Sequence, residues 1–138
     1  MSTKAVKTIL ESRLSSWAAA RTPVLRIAFE NAAFTPAAGE TYLRANLLPA
    51  ETESLDLEGQ HRGYRGVFQI SIVRPANGGA GPALDIAAEL NALFPVNGRY
   101  ANGAVAVQVT TPASAAPALQ DESTYTVPVS FQYRADTI

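Results

Sequence analysis

The sequence predicts an α+β fold in which a largely antiparallel or mixed sheet of about five strands carries two helices on one face, with long exposed loops. Three observations lead there. Val67 to Val73 alternates Phe68, Ile70 and Ile72 with Gln69 and Ser71, the period-two pattern of a half-buried strand. Pro82 to Phe94 sets Ala83, Ile86, Ala87, Leu90, Leu93 and Phe94 at helical spacing. The strands read polar on one side, so helices cover only the other.

In chain order, Thr3 to Ala19 is an amphipathic helix with Val6, Ile9, Leu10, Leu14 and Trp17 on one side and Lys4, Lys7, Glu11 and Ser15 on the other. Trp17 is expected to anchor it to the sheet, and Thr22 before Pro23 closes it. Val24 to Phe29 is a short strand. Glu30 to Gly39 is a loop in which Asn31, Phe34 and Pro36 stand out, Phe34 being apolar in a polar setting. Tyr42 to Leu48 is the next strand, ended by Pro49. Glu51 to Gly63 carries Glu51, Glu53, Asp56 and Glu58 against His61 and Arg62, and reads as a long hairpin connection.

Arg65 to Phe94 is the central unit of strand, turn and helix. Pro75 ends its strand, Asn77 to Gly81 turns, Pro82 opens its helix and Pro95 stops it. Asn97 to Gly103 reads as turns, Ala104 to Thr110 as a valine-rich strand and Pro112 to Ser123 as an exposed loop. The last strand, Thr124 to Arg134, alternates Tyr125, Val127, Val129, Phe131 and Tyr133 with polar residues. Pro128 has no amide hydrogen, so this strand is expected at an edge or with a bulge. Ala135 to Ile138 is a short tail.

The 138 residues suit one domain, 1–138, and no cysteine is present, which excludes disulfides, thiolate catalysis and cysteine-ligated metals. With 11 basic and 12 acidic residues the net charge is -1, without the basic excess usual in nucleic-acid or membrane-surface binders. Lys4, Lys7, Glu11 and Arg13 interrupt the first helix, so no signal-peptide core is visible and the chain is expected in the cytosol where it is made.

No stretch carries a catalytic signature. The glycines before the second helix could cradle an anion, but Pro82 and Ala83 stand where a phosphate loop needs lysine and a hydroxyl residue. His61, the single histidine, sits in a charged loop without an evident partner. The acidic residues Glu51, Glu53, Asp56 and Glu58 lack the ligand alternation and glycine of a calcium loop, and no serine lies in a nucleophile elbow. No catalytic, cofactor or metal residue is assigned, and a small α/β enzyme is the less favoured alternative.

Glu30 to Pro36, then Tyr42 and Leu43, then Leu48, Pro49 and Ala50 resemble the phage tail terminator-like family of small prophage tail-cluster proteins. Gly66 to Ile70, Gly81, Phe94, Tyr125, Val127 to Val129, Tyr133 and Arg134 continue the likeness across nearly the whole chain. The resemblance implies a non-enzymatic virion protein of the tail, present in the host cytoplasm during assembly. It implies a ring, usually hexameric, that caps the tail tube and docks the head connector, with DNA only passing through. A chain that is monomeric in isolation and assembles on the tube is compatible with it, as is another head-tail joining or minor tail protein.

The candidate interface is Asn31, Phe34 and Pro36 as a subunit contact, with Glu51, Glu53, Asp56, Glu58, His61 and Arg62 toward the channel or tube. Phe34 has an alternative role in plugging the domain's own core.

Overall fold

Two long strands run side by side through the middle of the molecule, Gly63–Pro75 and Thr124–Asp136, paired antiparallel from Gly63 opposite Asp136 to Pro75 opposite Thr124. The computed structural model describes residues 3–50, 63–102 and 105–136. Its elements in chain order are α1 (Thr3–Ala20), β1 (Arg26–Phe29), β2 (Tyr42–Pro49), β3 (Gly63–Pro75), α2 (Gly81–Leu93), β4 (Arg99–Asn102), β5 (Val105–Val109), β6 (Ser114–Ala115), β7 (Leu119–Gln120) and β8 (Thr124–Asp136).

One curled, mixed sheet runs in the order β1-β2-β3-β8-β5-β4, and β6 and β7 also pair with β8. Among the described residues only β1 and β2 pair in parallel; β2 and β3 are antiparallel neighbours, as expected of strands joined by a hairpin connection. The sheet is larger than the expected five strands. β4 lies in the stretch read as turns, because Asn97, Gly98 and Asn102 punctuate four residues too short to show a period. The two-residue β6 and β7 lie in the stretch read as a loop.

The expectation for Pro128 also needs correcting. β8 is an interior strand, with β3 along its whole length. The proline is tolerated because the carbonyl of Pro128 accepts from Ala116 N at 2.8 Å, on the flank away from β3, and the missing amide hydrogen faces that same flank. There β8 is covered only by short pieces of chain.

The core lies between the helices and one face of the sheet. Phe68, Ile70 and Ile72 of β3, Val127, Val129 and Phe131 of β8, and Val107 and Val109 of β5 are buried together with Val6, Leu10 and Leu14 of α1 and Ile86 and Leu90 of α2. Phe94, just beyond α2, stacks at 4.9 Å from Phe131 and meets Phe68 edge-on at 6.1 Å, so the end of the helix is pinned to the two central strands. Trp17 is only half-buried, packed at the rim of this core, while Leu10 and Leu14 take its centre.

Polar contacts join the two helices. Arg21 of the α1–β1 connection forks onto Glu89 of α2, with Nη2 at 2.8 Å and Nε at 3.0 Å from the carboxylate. Arg13 Nε donates to the carbonyl of Leu93 at 2.9 Å, and its guanidinium lies 4.1 Å from the Tyr100 ring centre. A cation at a helix C-terminus satisfies a carbonyl that has no partner within the helix. At the other edge, Glu30 accepts from Leu47 N and so continues, with a side chain, the cover that β1 gives β2.

Candidate functional site

The face of the sheet turned away from the helices is built from the residues that alternate with the core. β2 contributes Tyr42, Arg44, Asn46 and Leu48, β3 contributes Arg65, Val67, Gln69, Ser71 and Val73, and β8 contributes Thr126, Ser130, Gln132 and Arg134. Because neighbouring strands are in register, these side chains form rows of amides, hydroxyls and guanidinium groups. Ser71 is buried among them, with Gln69 Nε2 at 3.4 Å from its hydroxyl, and Arg44 donates to the Tyr42 hydroxyl at 3.0 Å.

A concavity of about 560 Å³ opens on this face over β2 and β3, walled by the turn that precedes β8. Asp121 holds that turn: its Oδ1 accepts from Thr124 N at 2.7 Å and Ser123 N at 2.9 Å. These backbone amides keep its carboxyl below the usual range, which makes Asp121 a turn staple. A smaller hollow of about 320 Å³ lies on the other side of Tyr42, Arg44 and Asn46, against the loop after β1.

That loop carries three of the candidate interface residues. Phe34 leans over the sheet with its ring 5.0 Å from Tyr42 and the Arg26 guanidinium 4.5 Å from its centre, in a small cluster with Ala28 and Val73. It is half-buried on the helix-free face, and so serves the domain's own packing while leaving one side exposed. Asn31 holds φ at +52°, a turn conformation that asparagine tolerates, and both Asn31 and Pro36 are exposed. Glu51, Glu53, Asp56, Glu58, His61 and Arg62 lie outside the described residues.

The turn before α2 is a strand-to-helix turn. Asn77 and Gly79 take positive φ, and α2 starts with proline in its first turn. A cation does lie beneath it. The Arg74 guanidinium packs against Gly78, where a Cβ would stand 3.1 Å from Nη1. A phosphate loop carries its lysine after the glycines, whereas this arginine precedes them and only the chain reversal brings it near. Among the described residues no group of three or more His, Cys, Asp or Glu could hold a metal, and no helix is long and apolar enough to cross a membrane.

These observations define an α+β domain with a polar, concave sheet face and no assembled catalytic or metal constellation among its described residues. The chain belongs to the phage tail terminator protein family, whose model matches residues 5–133. That family points to a structural component of the phage tail and to a place in the virion tail. Among solved structures, one chain is similar at 47% identity and a TM-score of 0.84, over 98% of this chain and 96% of that one. No curated protein matches.

Proposed function

We propose that this protein is a non-enzymatic tail terminator that caps the growing tail tube, halts its polymerisation and offers the head connector a docking surface, acting as a ring of identical copies. The family match across residues 5–133 carries this reading. The hollows of the polar face are lined by amides, hydroxyls, arginines and two carboxylates, Asp121 and Glu30, which accept from the backbone amides of Thr124 and Leu47 and so hold the loops in place. A ring requires a heterologous interface, one surface of each copy meeting a different surface of the next. Asn31, Phe34 and Pro36 supply one such surface, and the stretch from Glu51 to Arg65 lies toward the channel or the tube.

Electron microscopy of the purified protein with tail tubes tests the reading. A ring on one end of each tube is expected, with tubes that stop growing. Tubes that elongate unchanged, with protein bound along their length or not at all, would overturn it.

A further inference from the structure

The sheet is open at both ends. β1 and β4 close the strand path, and among the described residues no strand pairs with the outer flank of either. β2 runs against β3 and β1 runs with β2, while β8 runs against β3, β5 against β8 and β4 against β5. The two end strands therefore run the same way. Each is four residues long, Arg26–Phe29 and Arg99–Asn102.

Principles of the ladder show which main-chain groups face outward. On β2, Leu47 gives its amide to the Glu30 carboxylate beside β1, and Ala50 gives its amide to the Arg65 carbonyl on the side of β3. Main-chain groups alternate along a strand, so Leu43 and Ala45 point to β1, where they bond the residues on either side of their partners Ile27 and Phe29. That leaves the N–H and C=O of Ile27 and Phe29 on the free flank. Leu25 N also faces outward and is taken by the Ala18 carbonyl at 3.3 Å, so the open stretch begins at Ile27. On β4, the Gly98 carbonyl accepts from Val109 N at 2.9 Å, so Tyr100 and Asn102 also point to β5 while Arg99 and Ala101 point outward.

The side chains at the two ends match these backbones. Ile27 and Phe29 stand opposite Leu43 and Ala45 on the helix side and are only half-buried there, as is Tyr100 opposite Val107. Ala28 and Arg99 stand on the helix-free side. An end strand that offers main-chain groups beside apolar side chains is a template for another strand unless proline, charge or a bulge guards it. Each of these carries one charge and no proline.

We propose that β4 of one copy pairs in parallel with β1 of the next, so that the sheet continues from copy to copy around the ring. The inference rests on the ring-forming reading above and supplies its heterologous contact: two different ends of one sheet, related by a rotation that keeps the strand direction. In a parallel ladder, a residue that points to its neighbour lies opposite one that points away, and the two share a face. Within β1, Arg99 can thus lie opposite Ala28 or Arg26, and like charges directly opposite disfavour the second. With Arg99 opposite Ala28, the Arg99 amide meets the Ile27 carbonyl, the Phe29 amide meets the Arg99 carbonyl and the Ala101 amide meets the Phe29 carbonyl. Phe29 and Tyr100 then stand side by side on the helix side. The loop bearing Asn31, Phe34 and Pro36 follows β1 directly, so it belongs to the same junction.

Ala101→Pro tests the contact, because it removes an amide hydrogen that β5 does not use. The variant is expected to melt as wild type does and to give at least about tenfold fewer capped tube ends by electron microscopy. A second variant, Ala28→Cys with Arg99→Cys in one chain, uses the absence of natural cysteine. Parallel partners about 4.8 Å apart suit a disulfide, so the oxidised rings should run as a ladder of covalent oligomers on a non-reducing gel. Neither single cysteine variant should cross-link.

An Ala101→Pro protein that caps tubes as wild type does would overturn this contact and leave the terminator reading standing. If Ala101→Pro does not fold, the cysteine pair decides, and rings without a ladder overturn the contact. Dimers from either cysteine alone would show like ends meeting about a twofold axis, and a cross-link within one chain would show the two ends meeting in a single copy; each overturns it. Ala101→Pro rings that form but no longer bind tubes would assign the β4 edge to the tube protein and overturn it too. A wild-type chain that caps no tube removes both readings together.

Discussion

The two faces of the sheet are made from the same strands and do different work. On the helix side, Phe68, Ile70, Val129 and Phe131 are almost wholly removed from water, in one core with residues of both helices. On the helix-free side, one residue along each strand, stand Arg65, Gln69, Ser130 and Gln132, in rows of polar groups with hollows between them. Burial of apolar area, at roughly 25 cal/mol per Å², makes the first face the source of stability. Exposed polar side chains contribute little to folding, so the second face is free to carry recognition. Change on the covered face should therefore cost stability, and change on the open face should cost assembly.

The largest effect expected is from Ile70→Asp. It places a charge without a partner where the side chain is 1% exposed, a loss of more than about 4 kcal/mol against a domain stability of roughly 5–15 kcal/mol. No cooperative melting transition should be found by circular dichroism. A soluble, cooperatively melting Ile70→Asp protein would mean that the two faces are exchanged.

Gly66→Val should come next. A Cβ at Gly66 would stand 2.4 Å from the Leu48 carbonyl oxygen and 2.9 Å from Pro49 Cα, backbone that cannot give way as a side chain can. Overpacking of this kind costs about 1–3 kcal/mol, and urea denaturation should show a lower midpoint with an unchanged slope.

Arg21→Ala should cost about 1 kcal/mol, because its pair with Glu89 is forked but partly open to water, with the Glu89 side chain 40% exposed. The hydrogen bonds from Arg21 hold the Glu89 carboxyl below its usual range. A carboxyl lowered in this way adds stability above the ordinary glutamate range and loses it as pH falls through the lowered value. The difference between wild type and Arg21→Ala should thus be full at neutral pH and shrink in acid, as measured by urea midpoints across pH.

The smallest change in stability is expected on the open face. Arg44→Ala removes a hydrogen bond to the Tyr42 hydroxyl, a long contact of the guanidinium with the Tyr42 ring at 5.8 Å and a partly screened charge, and should shift stability by less than about 0.5 kcal/mol. A larger loss would show that the open face also holds the fold together.

The division between the faces was legible in the sequence to the extent that each strand carries it alone. The alternation of Phe68, Ile70 and Ile72, and of Val127, Val129 and Phe131, marks the covered side without reference to any neighbour. The helical spacing of Ile86, Leu90 and Phe94 supplies what covers them. What stayed hidden depends on pairing between distant segments. Arg65, Arg99 and Arg134 sit in different strands, and only the register of four strands sets them in line.

β4 has no signature in the sequence because its four residues, Arg99 to Asn102, are too few to show a period of their own. Pro128 misled for a related reason. A missing amide hydrogen requires one lightly covered flank, which an interior strand can have, and does not require the edge of the sheet. Phe34 stood out in the sequence as an apolar residue in a polar loop, and the structure gives it Tyr42 and Arg26 as neighbours.

Leu48→Asp puts the contrast between the faces to its most direct test, because Leu48 is apolar, 50% exposed and on the open side. Its melting temperature and its capping of tail tubes are measured on the same preparation. The account predicts a melting temperature within about 3 °C of wild type together with loss of capped tube ends. A variant that melts far lower, or that caps tubes as wild type does, would contradict it.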